Sequence, residues 1–224
     1  MELDVPRQET QLRELVRRAR ELAADGRRTL LGVTGAPGAG KSTLGRTLAD
    51  NMDGTARVVG MDGFHLSKAQ LARMGRLDRM GAIDTFDAVG FLVLLRRLRD
   101  PGPDTVFAPE FRRELEEPIA GSTAIEADVG LVIVEGNYLL ASEGPWGELH
   151  SLFDEVWYCE RDEATRLENL IARHRAFGKS DAEARRWALG PDQRNADLIA
   201  TMRQRADLVV TIDLQALDTA PASP

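Results

Sequence analysis

The chain has 224 residues, with 29 lysines and arginines against 36 aspartates and glutamates and a formal net charge of −7. That length suits one generous domain and is short for two enzymatic domains and a linker, while the acidic balance argues against nucleic acid or an anionic membrane as partner and favours a small molecule. The single cysteine, Cys159, excludes an internal disulfide and suits a reducing, cytoplasmic setting; no apolar run approaches a membrane span, and the start MELDVPRQET lacks the basic and apolar regions of an export signal.

From Glu9 to Ala24 apolar residues recur every three or four positions, which predicts an amphipathic helix ended by Gly26. Its stripe is expected to pack on its own domain or on a second subunit, so a homodimer is compatible with it. Short apolar runs follow at Leu30–Val33, Arg57–Met61, Leu131–Val134, Glu155–Cys159 and Leu208–Ile212, separated by longer segments of helical spacing. This alternation predicts an α/β fold: a central parallel sheet with helices on both faces. The piece TVFAPEFRRELEEPIAGS has strand-like ends and too many prolines for a helix, and reads as a hairpin-like insertion over one sheet edge. Residues 1–217 are expected to form one domain, with the N-terminal helix inside 1–27 and a lid at about 160–190; DTAPASP, residues 218–224, reads as a disordered tail.

Directly after the first predicted strand, Gly35, Gly40, Lys41 and Ser42 match GxxxxGKS, and the helical segment KSTLGRTLADNM follows at once. This strand, loop and helix context makes a phosphate-binding loop of Gly35, Ala36, Pro37, Gly38, Ala39, Gly40, Lys41, Ser42 and Thr43. Glycines let backbone N–H groups turn inward around phosphate oxygens, and the helix N-terminus adds partial positive charge. Lys41 would neutralise the outer phosphates and the Ser42 hydroxyl would ligate Mg²⁺. Two further strands each end on an acid, VVGMD with Asp62 and LVIVE with Glu135. In a parallel sheet those ends share the edge that carries the phosphate loop. Asp62 is then a candidate general base toward a hydroxyl, and both acids are candidate metal ligands with Ser42.

In RDEATRLENLIARHRAFGKS, Arg166 and Arg173 are seven residues apart and share a helix face, from which both are expected to reach a triphosphate when a lid closes; Arg161 and Arg175 read as solvated. Ser180 and Glu183 carry a capping-box signature that starts the next helix. His65, His150 and His174 share no metal-ligand spacing, and His65, just after Asp62, could line an acceptor pocket.

Taken in order, GVTGAPGAGKSTL, VVGMDGFHL, GAIDTFDAVGF, LVIVEGNYLL and the arginine-bearing segment resemble the phosphoribulokinase and uridine kinase superfamily of P-loop kinases, which includes the bacterial pantothenate kinases, over about Leu30 to Ile212. FAPEFRRELEEPIAG, EGNYLL, RHRAFGKS and RADLVV bring it nearer the bacterial nucleoside or nucleotide kinase family and the fructose-transport-system kinases. The resemblance implies a three-layer P-loop kinase fold, ATP and Mg²⁺, a catalytic aspartate at Asp62, the metal acid at Glu135, lid arginines at Arg166 and Arg173, and an acceptor pocket using His65, Asp84, Phe86, Asp87 and Arg113. It also implies an aspartate where Arg112 stands, a departure that bears on the substrate.

The expected activity is transfer of the γ-phosphoryl group of ATP to a hydroxyl of a small metabolite such as a nucleoside, a sugar or a pantothenate-like molecule. GAPGAGKST also fits the loop of nucleoside monophosphate kinases, but those need arginines for the acceptor more than an acid after the second strand. A GTP switch protein is disfavoured because no NKxD motif occurs; a nucleotide-binding regulator without phosphotransfer stays open.

Overall fold

The computed structural model describes residues 7–100 and 102–211. Its strands are β1 (Thr29–Gly35), β2 (Ala56–Gly60), β3 (Val106–Arg112), β4 (Glu117–Ile125), β5 (Leu131–Glu135), β6 (Glu155–Cys159) and β7 (Leu208–Val210). Its helices are α1 (Arg7–Leu22), α2 (Lys41–Asp50), α3 (Lys68–Arg73), α4 (Ala88–Arg99), α5 (Glu163–Ala176), α6 (Asp181–Leu189) and α7 (Pro191–Ala200). Five strands form a parallel sheet in the order β2-β5-β1-β6-β7, and β3 and β4 make a separate antiparallel hairpin. The expected strand end at Ile212 and the tail at 218–224 lie outside the described residues.

The central strands are mostly apolar because both faces are covered. Successive side chains alternate between two cores. Leu31 and Val33 of β1, Leu131 and Ile133 of β5, and Trp157 and Cys159 of β6 pack with Leu15, Val16 and Ala19 of α1 and with Leu44 and Leu48 of α2. The neighbours Leu30, Val132, Val134, Val156 and Tyr158 face the other way, onto Phe91, Leu92, Leu95 and Leu98 of α4 and Ile199 of α7. Each fully buried large apolar side chain contributes about 1.5–3 kcal/mol. The stripe of α1 is thus used on its own domain. Helix starts follow local chemistry: Ser67, Asp87, Asp162 and Ser180 each accept from an N–H of the first turn of the helix they cap, and Ser180 and Glu183 complete a capping box.

Register brings the site together. Val33 pairs with Glu135 and Gly60 pairs with the same Glu135, so β1, β2 and β5 finish side by side at one edge. The β3–β4 hairpin lies over the turn after β2, where the Pro109 carbonyl oxygen sits 2.3 Å from the place a Cβ on Gly63 would occupy. Only glycine allows that approach. Gly63→Ala is therefore expected to lose about 1–3 kcal/mol of stability by forcing the hairpin off the turn that carries Asp62; Gly130→Ala, which meets nothing within 4 Å, should stay close to the parent in urea unfolding.

Candidate active site

The loop between β1 and α2 curls back across the sheet edge. Gly35, Gly38 and Gly40 have φ of 146°, 85° and 94°, and a Cβ on Gly35 would meet the Cys159 carbonyl oxygen at 2.5 Å. The start of α2 leaves N–H groups without helical partners, all aimed out of its first turn. Lys41 Nζ donates to the carbonyls of Gly35 at 2.9 Å and Ala36 at 3.0 Å. Burial brings its pKa down to about 8 despite the opposing charge of Glu135.

Ser42 Oγ donates to Glu135 Oε2 at 2.5 Å. Burial raises the Glu135 carboxyl above its ordinary value, against that hydrogen bond. Asp62 has the opposite balance: burial would raise it, but His65, Arg113, Lys41 and Arg173 together hold it below the usual aspartate value. Arg113 Nη2 lies 3.5 Å from Asp62 Oδ2, and His65 Nδ1 is 2.8 Å from the Asp62 backbone oxygen. Among the described residues no cluster of three or more His, Cys, Asp or Glu side chains has the form of a protein cage for a metal. A hydroxyl and two carboxylates, all hard oxygen donors, nevertheless fit Mg²⁺, which keeps waters and phosphates as its other ligands.

Two cavities meet at Asp62. One, of about 610 Å³, is lined by Gly38, Gly40, Thr43, Arg46 and Arg161 beside the hairpin; the other, of about 370 Å³, is lined by His65, Phe86, Phe111, Phe177, Trp187 and Asp192 among others. Lys41, Ser42, Asp62, Arg113, Glu135 and Arg173 border both. The first is continuous with the phosphate loop, and the second is walled by aromatic rings, the His65 ring lying tilted at 4.0 Å from Phe86 and 4.9 Å from Phe111 between centroids.

Comparison with known proteins agrees with this geometry. A candidate uridine kinase of Schizosaccharomyces pombe is 30% identical over 91% of this chain and 90% of its own. The chain belongs to the phosphoribulokinase and uridine kinase superfamily of P-loop kinases. An ATP-dependent kinase-like protein of Aspergillus versicolor is 37% identical over 64% of this chain and 88% of its own. The crystal structure of a candidate fructose transport system kinase from Silicibacter sp. TM1040 superposes with a TM-score of 0.81 at 36% identity, covering 89% of this chain and 98% of that one. A family profile described as Methylmalonyl Co-A mutase-associated GTPase MeaB matches residues 1–62, the part that carries the phosphate loop.

Not every residue expected at the kinase site reaches it. Asp84 is held by Arg79 at 2.9 Å and Arg76 at 3.4 Å, and Asp87 caps α4 by accepting from Gly90 N at 2.8 Å. Neither borders the two cavities, whereas His65, Phe86 and Arg113 do. The two lid arginines diverge as well. Arg166 is 2% exposed and donates to the Pro37 carbonyl at 2.9 Å, to Glu163 at 2.7 and 2.8 Å and to Gln193 at 2.5 Å. Its guanidinium is engaged in bracing the phosphate loop from outside. Arg173 faces the cleft, where burial and then Arg113 depress its pKa. Arg175 pairs with Asp181 at the surface, and Arg161 stands in the phosphate-side cavity instead of bulk solvent. His174, Asp192, Asn195, Phe177 and Trp187 carried no sequence signal, because packing of α5, α6 and α7 brings them to the cavity, not any local motif.

Arg166→Ala is expected to lower stability by about 2 kcal/mol, since it strands the Pro37 carbonyl and Gln193. Arg173→Ala should not destabilise the fold, since burial and the neighbouring Arg113 disfavour its charge in the folded protein. Chemical denaturation of the two variants side by side makes the comparison.

Proposed function

We propose that this kinase transfers the γ-phosphoryl group of ATP to a hydroxyl of a small metabolite. The observation that carries the reading is the place of Asp62, an ionised carboxylate at the junction of a phosphate-loop cavity and an aromatic-walled one. The acceptor hydroxyl oxygen attacks the γ-phosphorus while its proton passes to Asp62. The bond from the γ-phosphorus to the bridging oxygen breaks, and ADP leaves with that oxygen.

Lys41, the glycine N–H groups and Arg173 hold the phosphate oxygens, and His65 and Arg113, with the other cations, keep Asp62 ionised. Ser42 and Glu135, with Asp62 as the further candidate carboxylate, are the residues that would hold Mg²⁺. When bound there the cation supplies neutralising charge on the phosphate oxygens. Arg166 has a positioning role, since it touches the loop backbone.

A panel of hydroxyl acceptors (uridine, D-fructose, pantothenate) and nucleoside monophosphates, with ATP or GTP as donor and ADP or GDP release as readout, tests the reading. Turnover of a hydroxyl acceptor supports it; exclusive turnover of monophosphates would replace it by the nucleoside monophosphate kinase reading, and nucleotide binding without transfer by that of a regulator. Asp62→Asn should bind ATP normally and turn over about a hundredfold more slowly. Arg173→Ala should lower kcat by about a hundredfold with a much smaller change in KM for ATP, because its charge is needed most when charge spreads over the transferring group. Arg175→Ala serves as the surface control at fixed ionic strength.

Lys41 also sets a pH dependence. Its charged form binds phosphate, and in the nucleotide-free protein that form is lost as pH rises through about 8. ATP affinity should therefore be level below that pH and fall above it, by up to about tenfold per unit, with proton uptake on binding. Calorimetry between pH 7 and 9.5 in buffers of differing ionisation enthalpy reads both, and Lys41→Ala should remove the dependence along with most of the affinity.

A further inference from the structure

One wall of the aromatic cavity has no part in this phosphoryl-transfer chemistry. Helices α5 and α7 contribute His174, Asp192 and Asn195 to it. His174 Nε2 lies 2.7 Å from Asp192 Oδ2, with side chains 15% and 12% exposed. Asn195 Nδ2 donates to the Gly81 carbonyl at 3.2 Å, and the Tyr138 hydroxyl donates to the same oxygen at 2.8 Å. Both side chains are therefore fixed at one end, and Oδ1 of each is without a hydrogen-bond partner among the described residues. Two oxygen acceptors, one on a carboxylate, are held nearly buried and face the cavity. A wall of that kind is satisfied by donors. The two aspartates that the family resemblance assigns to the acceptor, Asp84 and Asp87, are tied to Arg79 and Gly90 and leave this task vacant.

We propose that Asp192, oriented by His174, and Asn195 form the acceptor-recognition wall, and that the acceptor is a polyol whose neighbouring non-reacting hydroxyls donate to their oxygens. The inference rests on the kinase reading for the hydroxyl that Asp62 activates. The rest of the cavity agrees: the rings of His65, Phe86 and Phe111 offer apolar faces to the C–H face of a sugar ring, and a volume of about 370 Å³ admits a monosaccharide or a nucleoside. An acceptor that put its own carboxylate at this wall would meet the charge of Asp192. His174 is a positioning residue, since its Nε2 is engaged with Asp192. A site built to pair with hydroxyls strongly rejects analogues that lack them, because its own buried polar groups are then left unpaired.

The experiment uses the full chain and matched probes: uridine against 2′,3′-dideoxyuridine, which keeps the base and the 5′-hydroxyl, and D-fructose against pantothenate. Binding is read by thermal shift in the presence of a non-hydrolysable ATP analogue, and transfer by ADP release. The polyol of each pair should be favoured, and Asp192→Asn should raise its KM by about a hundredfold while KM for ATP is unchanged. Asn195→Ala should raise the same KM by about tenfold, and stands in if the Asp192 variant does not fold. His174→Gln, whose side-chain amide can still donate to Asp192, should recover most of the acceptor affinity lost in His174→Ala, with kcat at saturation little changed in both. Equal use of 2′,3′-dideoxyuridine and uridine, preference for pantothenate, or no binding of either polyol would overturn the proposal and leave the kinase reading standing. A polyol that binds the parent, loses affinity in the Asp192 and Asn195 variants and is never phosphorylated would keep the wall and remove the kinase reading.

Discussion

Burying opposite charges together at the end of a parallel sheet is the constraint on which this site depends. Lys41, Asp62, Arg113, Glu135 and Arg173 share one cleft floor. Three of these are cationic and two anionic when ionised, so this set carries an excess of positive charge that suits an anion. Four of them show the strain of that arrangement, three by a lowered pKa and Glu135 by a raised one. Burial depresses Lys41 and Arg173 and raises Glu135, while the surrounding cations keep Asp62 low. A phosphate chain would relieve the first two and a divalent cation the third, which is why ligand binding and charge compensation are the same event here.

The sheet edge also explains why two arginines on one helix differ. Helical spacing puts Arg166 and Arg173 on a common face, but that face spans two turns and meets two different surfaces. At the N-terminal end α5 runs against the phosphate loop so closely that a Cβ on Gly38 would lie 2.6 Å from the Arg166 carbonyl oxygen. A guanidinium there has no route to a ligand and instead bonds the loop backbone. Two turns on, the helix has passed the loop and its side chain enters the cleft. The same periodicity thus yields one brace and one ligand-facing charge.

Much of this was legible in the sequence. The five sheet strands, the hairpin and the capping box each arise from short-range patterns: apolar runs buried on both faces, prolines that exclude a helix, and a serine three residues before a glutamate. The phosphate loop and the two strand-end acids were legible because backbone geometry demands particular residues at fixed offsets from a strand. The acceptor wall was not. Asp192, second in α7, reads as an ordinary first-turn acid that complements a helix dipole, and Asn195 as one polar residue of a helix. Their meaning arises only when α7 packs across the cavity. Asp84 failed in the converse way: its motif was legible, but Arg76 and Arg79, a few residues earlier, claim its carboxylate.

The helix α5 and its neighbours are held unevenly around the cleft. The N-terminal half of the helix is anchored by the buried Arg166 network. Just past its C-terminal end, half-exposed contacts meet the hairpin turn: Glu116 pairs with Lys179 at 3.2 Å and with Lys68 of α3 at 2.8 Å, and Arg113 lies over the Phe177 ring at 5.9 Å, while Lys179 also lies over Trp187 of α6 at 5.5 Å. Exposed ion pairs contribute about 0–1 kcal/mol each, so the hairpin is held to the end of α5 less firmly than the phosphate loop is held to its start. Because Arg113 also touches Asp62, and Lys68 and Lys179 border the acceptor cavity, the contacts between the hairpin and its neighbours are made by residues that face the cavity. The side chains that join the hairpin to the end of α5 are therefore the same ones that line the cavity, and Arg173, one turn before that end, borders it too.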